Sequence, residues 1–309
     1  MSARALVVAA ALVACGGSQR ATITATAPSA QTTAERMIAL LPDGAQIIVE
    51  LDLARLRANA AVGAIAQQAL GQLGADAHIP GLPLAVLGSP LATSDVVVLA
   101  AYGVGTAQAA TVTVLATKTE IEGATRLAPD LVALGPDEWT GQLASRAAIA
   151  QQTAKPLAVS RELLDLRARA MPKGATGAVV RITARLTFDA RIALARLTGV
   201  DAAPAQMSLW GDVADDIAIV LDADSADPGS KGARDSARRL AATLRKTIAA
   251  LADVPVIRGL GVTTSLGDAR LVAQGSWVRA VVAVGPRHLA RVVERARAML
   301  DAPPPAPPP

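Results

Sequence analysis

An α+β fold of mostly antiparallel sheets, covered on one face by helices and arranged as two related halves, is predicted by three features of this chain. Short runs rich in Val and Ile come in pairs joined by Gly-containing turns, and they alternate with longer segments whose apolar residues recur at helical spacing. Hydrophobic residues make up 52% of the 309 residues and aromatics only 2%, so the interior has to be aliphatic. A Pro-x-Gly lead-in, a β-branched run and an Arg-bearing helix start also occur twice, as PDGAQIIVELDLARL from Pro42 to Leu56 and as PKGATGAVVRITARL from Pro172 to Leu186.

In chain order, Gly44 to Leu53 is Ile- and Val-rich after a Pro-Asp-Gly turn and predicts a strand. A helix follows through Leu56, Val62, Ile65, Ala69, Leu70 and Leu73, whose spacing makes one apolar face. Asp95 to Gly103 and Ala109 to Thr117 predict a hairpin. Leu131 to Leu134 predicts a strand, and helices are expected at about Pro136 to Gln152 and Ser160 to Met171, with Ser160 as N-cap of the second. The pattern then restarts at Pro172. Met207 to Val213 and Asp215 to Asp224 predict another hairpin, followed by a helix from about Pro228 to Ala252, strands at Val256 to Ser265 and Ala269 to Val278, and a final helix from Pro286 to Leu300. The halves are bounded at 35–171 and 172–302. Residues 303–309, at the end of DAPPPAPPP, are expected to form an extended polyproline tail.

The N-terminus carries a different kind of information. One basic residue, Arg4, precedes an apolar run from Ala5 to Ala14, and Cys15 follows as the only cysteine in the chain. The run is too short for a bilayer-spanning helix, which needs about twenty residues, and has the length of a signal-peptide core. Leu12-Val13-Ala14-Cys15 resembles the lipobox of bacterial lipoproteins. That resemblance, confined to residues 1–16, implies a signal peptide over 1–14, cleavage between Ala14 and Cys15, a diacylglyceryl group on the Cys15 thiol and acylation of the new amino terminus. Residues 15–34 then form a lipidated flexible tether of Gly, Ser, Thr, Ala and Gln; about eighteen random-coil residues reach roughly 23 Å. Two or more acyl chains hold a protein stably on a membrane, where one does so only marginally. By the same resemblance, Gly16 in place of an inner-membrane retention Asp points to the outer membrane, with the body facing the periplasm. The alternatives are an ordinary signal peptide and a buried cysteine in a short apolar helix. An unpaired thiol in an exported protein is a liability that lipidation removes.

Several chemistries are excluded by counting. With only His78 and His288, and the one cysteine committed to the N-terminus, no Cys/His zinc cluster forms, and no metal and no cofactor are expected. H-E-x-x-H, G-x-S-x-G, S-x-x-K and P-loop patterns are absent. A Ser-His-Asp site assembled from distant residues would need His78 or His288 as base; His288 falls in the first turn of an amphipathic helix, a position expected to be solvated. In DADSADPG, Asp222 to Gly229, the carboxylates of Asp222, Asp224 and Asp227 offer oxygens to Ca²⁺, but Ala226, Asp227 and Ala233 violate the EF-hand template. The structural alternative makes Asp227 the N-cap of the following helix with Pro228 at its first position. GLGVTTSLG, Gly259 to Gly267, has no dinucleotide-binding order and is expected to supply turn and bulge glycines in a strand pair.

The net charge of +4 is spread along the chain, and aromatic platforms are limited to Tyr102, Trp139, Phe188, Trp210 and Trp277, so no nucleic-acid partner is expected. The basic faces of the helices at 228–252 and 286–300 suit an anionic membrane surface or, as the commoner use, solvation opposite a packed stripe. Trp139, Trp210 and Trp277 are expected in the core, with the lining of a binding pocket as the alternative. These features predict a membrane-anchored envelope lipoprotein whose body is a non-catalytic interaction or scaffold module. Its partners are membrane lipid through acylated Cys15 and an envelope protein. A periplasmic carrier of an apolar ligand is the alternative, and a tethered hydrolase with a nonstandard site is the third reading.

Overall fold

The structure, a computed structural model, describes residues 31–72, 88–153, 157–198, 203–225 and 232–301. Helix α1 (Thr33–Leu40) opens the described chain. The Thr32 hydroxyl accepts from the Glu35 amide while the Glu35 carboxylate accepts from the Thr32 amide, a reciprocal capping box. Strand β1 (Ile47–Asp52) runs into α2 (Leu53–Ala58) and α3 (Gly63–Gly71). The one helix expected from Leu56 is split into these two by Asn59, whose Oδ1 accepts from the amides of Ala61 and Val62 at 2.9 and 3.1 Å. After α4 (Gly88–Thr93), β2 (Val96–Tyr102) and β3 (Ala110–Ala116) form the expected hairpin. A short strand that the hydropathy pattern did not announce, β4 (Thr125–Ala128), pairs with β5 (Leu131–Leu134). Helices α5 (Asp137–Thr153) and α6 (Arg161–Arg169) complete the half, with the Ser160 hydroxyl capping α6 by accepting from the Leu163 amide at 3.3 Å.

The second half holds β6 (Val180–Arg185), α7 (Phe188–Thr198), the expected hairpin of β7 (Gln206–Val213) and β8 (Ile217–Asp224), and α8 (Ala233–Ala252). The strand expected over Val256 to Ser265 is helical: α9 (Pro255–Leu260) and α10 (Thr263–Gly267). Pro255 takes a first-turn position, where its missing N–H costs nothing, and Val256, Ile257 and Leu260 are then buried together. Gly261 ends α9 in the left-handed conformation at φ 76°, so GLGVTTSLG is a helix end and a short helix, not a strand pair. The strand expected from Ala269 to Val278 is a hairpin of β9 (Arg270–Gln274) and β10 (Trp277–Val284), turned at Gly275 with φ 62°. Helix α11 (Pro286–Asp301) matches its expected span.

All described strands join one ten-stranded sheet in the order β4-β5-β3-β2-β1-β6-β7-β8-β10-β9, every neighbouring pair antiparallel. The halves meet at β1 and β6, where Val49 lies opposite Ile182. Read outward from that junction, each half has the same order: its first, second, third, fifth and fourth strand. Successive side chains of a strand face opposite ways. Ile48, Val98, Ala100, Val112 and Val114 therefore pack one way with Met37 and Leu40 of α1 and Leu143 of α5. Val97, Leu99, Leu115 and Val132 pack the other way, with Leu53 and Leu56 of α2, Leu260 of α9 and Leu289 of α11. Helices thus lie on both faces of a single sheet, not on one face of separate sheets as expected, because the strands of the first half carry apolar residues on both sides; β2 and β3 are accordingly buried at six of their seven positions instead of alternating. The second of these clusters also takes in Val213, Ile217 and Val284, so one apolar core spans both halves.

Candidate functional site

Charged residues interrupt the aliphatic sheet near the junction. On the face that carries Ile48, β1 also presents Glu50 and Asp52, β6 presents Arg181 and Thr183, and β7 presents Ser208, Trp210 and Asp212. Register sets Arg181 directly between Glu50 on one side and Trp210 on the other. Helix α6 crosses above with Arg167, the start of α1 brings Glu35, and the first turn of α2 brings Arg55. Together they line a cleft of about 570 Å³, with Glu35, Glu50, Asp52, Arg55, Arg167 and Arg181 as its charged walls.

The carboxylates of the cleft are all engaged. Arg167 grips Glu50 with two hydrogen bonds, Nε to Oε1 at 2.7 Å and Nη2 to Oε2 at 2.8 Å, and reaches Glu35 through Nη1 at 2.9 Å. Arg55 grips Asp212 in the same forked way at 2.7 and 2.5 Å. Asp52 caps α2 by accepting from the Arg55 amide at 2.8 Å. Burial alone would raise the Glu35 carboxyl, but the Thr32 amide and the Arg167 charge outweigh it and hold the group below the usual carboxylate range. The hydrogen bond to Asp212 keeps Arg55 firmly protonated against its own burial. Arg167 is likewise held protonated: burial pulls it down, and Glu50 and Glu35 more than restore it.

Trp210 floors this region. It is 1% exposed, and its Nε1 donates to the Gly177 carbonyl at 2.8 Å, pinning the lead-in to β6 against the sheet. Trp139, itself only partly buried, stacks on the buried Tyr102 with ring centroids 4.0 Å apart. Trp277 is likewise half-buried, near the edge strand β9, with the Arg169 guanidinium 3.6 Å from its ring centroid, so only Trp210 of the three is fully in the core.

The residues singled out by sequence lie elsewhere. Ala14, Cys15, His78, Asp227 and Pro228 fall outside the described residues, as does the 303–309 tail. Asp222 points at Arg279 in a forked pair at 2.8 and 2.5 Å, and among the described residues no group of three or more His, Cys, Asp or Glu is placed to hold a metal ion. His288 is not merely solvated. Its Nε2 donates to the Gly261 carbonyl at 2.7 Å, which leaves Nδ1 to accept from the Ser265 hydroxyl at 3.1 Å, and the ring staples α11 to the α9–α10 turn. The stripes of the two basic helices pack inward through Leu240 of α8 and through Leu289, Val292, Ala296 and Leu300 of α11.

None of the cleft residues stood out in the sequence. The signal that finds them is a charge inside a β-branched run, Glu50 in IIVELD and Arg181 in VRITAR, since such a residue must be buried or must face a site.

No family model matches this chain, and no curated protein matches it. Among solved structures, crystal form I of TP0453 superposes with a TM-score of 0.41 at 9% sequence identity, over 84% of this chain and 97% of that one. That likeness is one of backbone course alone. Among the described residues, no helix is long and apolar enough to cross a membrane.

Proposed function

We propose that this protein is a bacterial envelope lipoprotein, anchored through Cys15, whose body is a non-catalytic module that binds a small molecule in the cleft at the β1–β6 junction. The observation that carries the reading is a recess of about 570 Å³ whose wall carboxylates are tied into ion pairs and a helix cap. Its carboxylates are fixed in ion pairs or caps, an arrangement that holds shape and charge in place and offers no poised proton donor. Its volume lies within the range of small-molecule sites, roughly 300–1,000 Å³. A smaller hollow of about 260 Å³ between α1 and α5, lined by Leu40, Leu127, Leu131, Ala147 and Leu157, supports the second reading of a carrier for an apolar ligand, but it falls below that range.

Two experiments test the proposal. In a bacterium that processes lipoproteins, the native protein should incorporate labelled fatty acid and Cys15→Ala should not; equal labelling would remove the anchor. Native mass spectrometry of the detergent-extracted mature protein should show a retained small molecule that is lost in Ala168→Trp, a substitution that fills the cleft from an exposed position on α6. A wild-type protein that retains nothing, or a molecule unaffected by Ala168→Trp, would overturn the binding module.

A further inference from the structure

Arg181 is the one cationic wall of the cleft that has no ion-pair partner among the described residues. Its register neighbour Glu50 would be the natural partner, because directly opposed residues on adjacent strands sit about 5 Å apart. Arg167 has taken both Glu50 oxygens from above. What remains to Arg181 is a single contact from Nη2 to the Met171 sulfur at 3.6 Å, and thioether sulfur is a weak acceptor for a group with five N–H donors. Buried charges are as a rule paired, and leaving one unpaired is costly. Burial, reinforced by the nearby Arg167 charge, pulls the Arg181 guanidinium below its ordinary value, with Glu50, Glu35 and Asp212 opposing the shift. A guanidinium held half-buried against a recess, with one weak sulfur contact as its sole side-chain hydrogen bond among the described residues, is a site for an acceptor that arrives from outside.

We propose, building on the binding-module reading, that the cleft takes a small organic carboxylate whose oxygens are received by the Arg181 guanidinium. The planar fork of arginine matches a carboxylate with two parallel hydrogen bonds. Glu50, Glu35 and Asp212 all act on Arg181, so each negative charge on an incoming group meets their repulsion, and the second charge of a group such as phosphate adds to it. Val96, Leu164 and Met171 also line the cleft, giving the rest of the molecule an apolar wall.

The test is calorimetric titration of the full mature protein in detergent with benzoate, benzyl alcohol and inorganic phosphate at constant ionic strength. Benzoate should bind saturably, at least about tenfold more tightly than benzyl alcohol, and that preference should vanish in Arg181→Met. Because this substitution removes an unpaired, half-buried cation, its thermal midpoint should equal or exceed that of the native protein, which separates lost binding from lost folding. Arg167→Met releases Glu50 to pair with Arg181 and should weaken benzoate with residue 181 intact. Absence of saturable benzoate binding, equal binding by Arg181→Met, or undiminished binding by Arg167→Met would overturn the inference; tighter binding of phosphate than benzoate would overturn the choice of carboxylate. If the native protein retains a small molecule that Ala168→Trp expels and Arg181→Met does not, the carboxylate inference fails while the binding module stands.

Discussion

The Arg167 and Glu50 side chains are 10% and 6% exposed, so their pairing is of the kind whose disruption is expensive. Removing one partner of a buried pair costs about 3–5 kcal/mol, because the other charge stays behind in a poor solvent. Glu50→Leu should therefore lower the unfolding free energy by about 3 kcal/mol in denaturant titrations, Arg167 keeping Glu35 as a second partner. Arg36→Ala, which breaks a pair with Asp130 whose side chains are 44% and 48% exposed, should cost about 1 kcal/mol or less. Equal costs would mean that the cleft pair is as well solvated as a surface one. Glu35 adds a pH dependence with a definite sign. Its folded-state pKa is depressed, so its contribution is fully present above the unfolded value and is lost as pH falls through the folded value. The denaturation midpoint should decline on the acid side of about pH 4.5, and Glu35→Gln should flatten that part of the profile; an unchanged acid limb would show that Glu35 does not carry it.

At the scale of elements, α1 is coupled to α6 through one side chain, since Glu35 serves both the capping box with Thr32 and the ion pair with Arg167. Thr32→Ala should cost about 1 kcal/mol, the ordinary value of a cap. Combined with Arg167→Met it should show a coupling of at least about 0.5 kcal/mol in a double-mutant cycle, whereas strict additivity would mean that Glu35 transmits nothing between the helices. The hairpins of β2 with β3 and β7 with β8, the cap at Ser160 and the α11 stripe were legible because strand period, turn glycines and helical spacing are local signals. The region around Val256 was not. Its β-branched residues favour a strand by propensity, and Pro255 with the packing of Val256, Ile257 and Leu260 overrides them. The split at Asn59 turned on one side-chain amide folding back on the chain. The cleft was illegible for a different reason: Glu50, Arg167 and Arg181 come from three elements, and only the sheet register and the crossing of α6 bring them together.

In the whole molecule, the twice-used strand order and the shared start motif agree that each half has the same plan, yet the core does not respect the boundary between them. Leu53, Val97 and Leu115 from one half pack in the same cluster as Ile217, Val284 and Leu289 from the other, and β1 and β6 supply each other's edges. Unfolding should accordingly be a single transition. Single-tryptophan variants that retain Trp139 in the first half or Trp277 in the second should report coincident midpoints in denaturant; two separated transitions would make the halves independent folding units. The position of α1 has a mechanical consequence. The chain that leads back to Cys15 joins the body at Thr32, on the rim of the cleft. Among the described residues, a pull along that chain is resisted first by the ring of two hydrogen bonds between Thr32 and Glu35, and behind it by Arg167 and Glu50. Under the anchoring proposed at Cys15, a pull on the body is delivered to the recess, not to the far edges of the sheet.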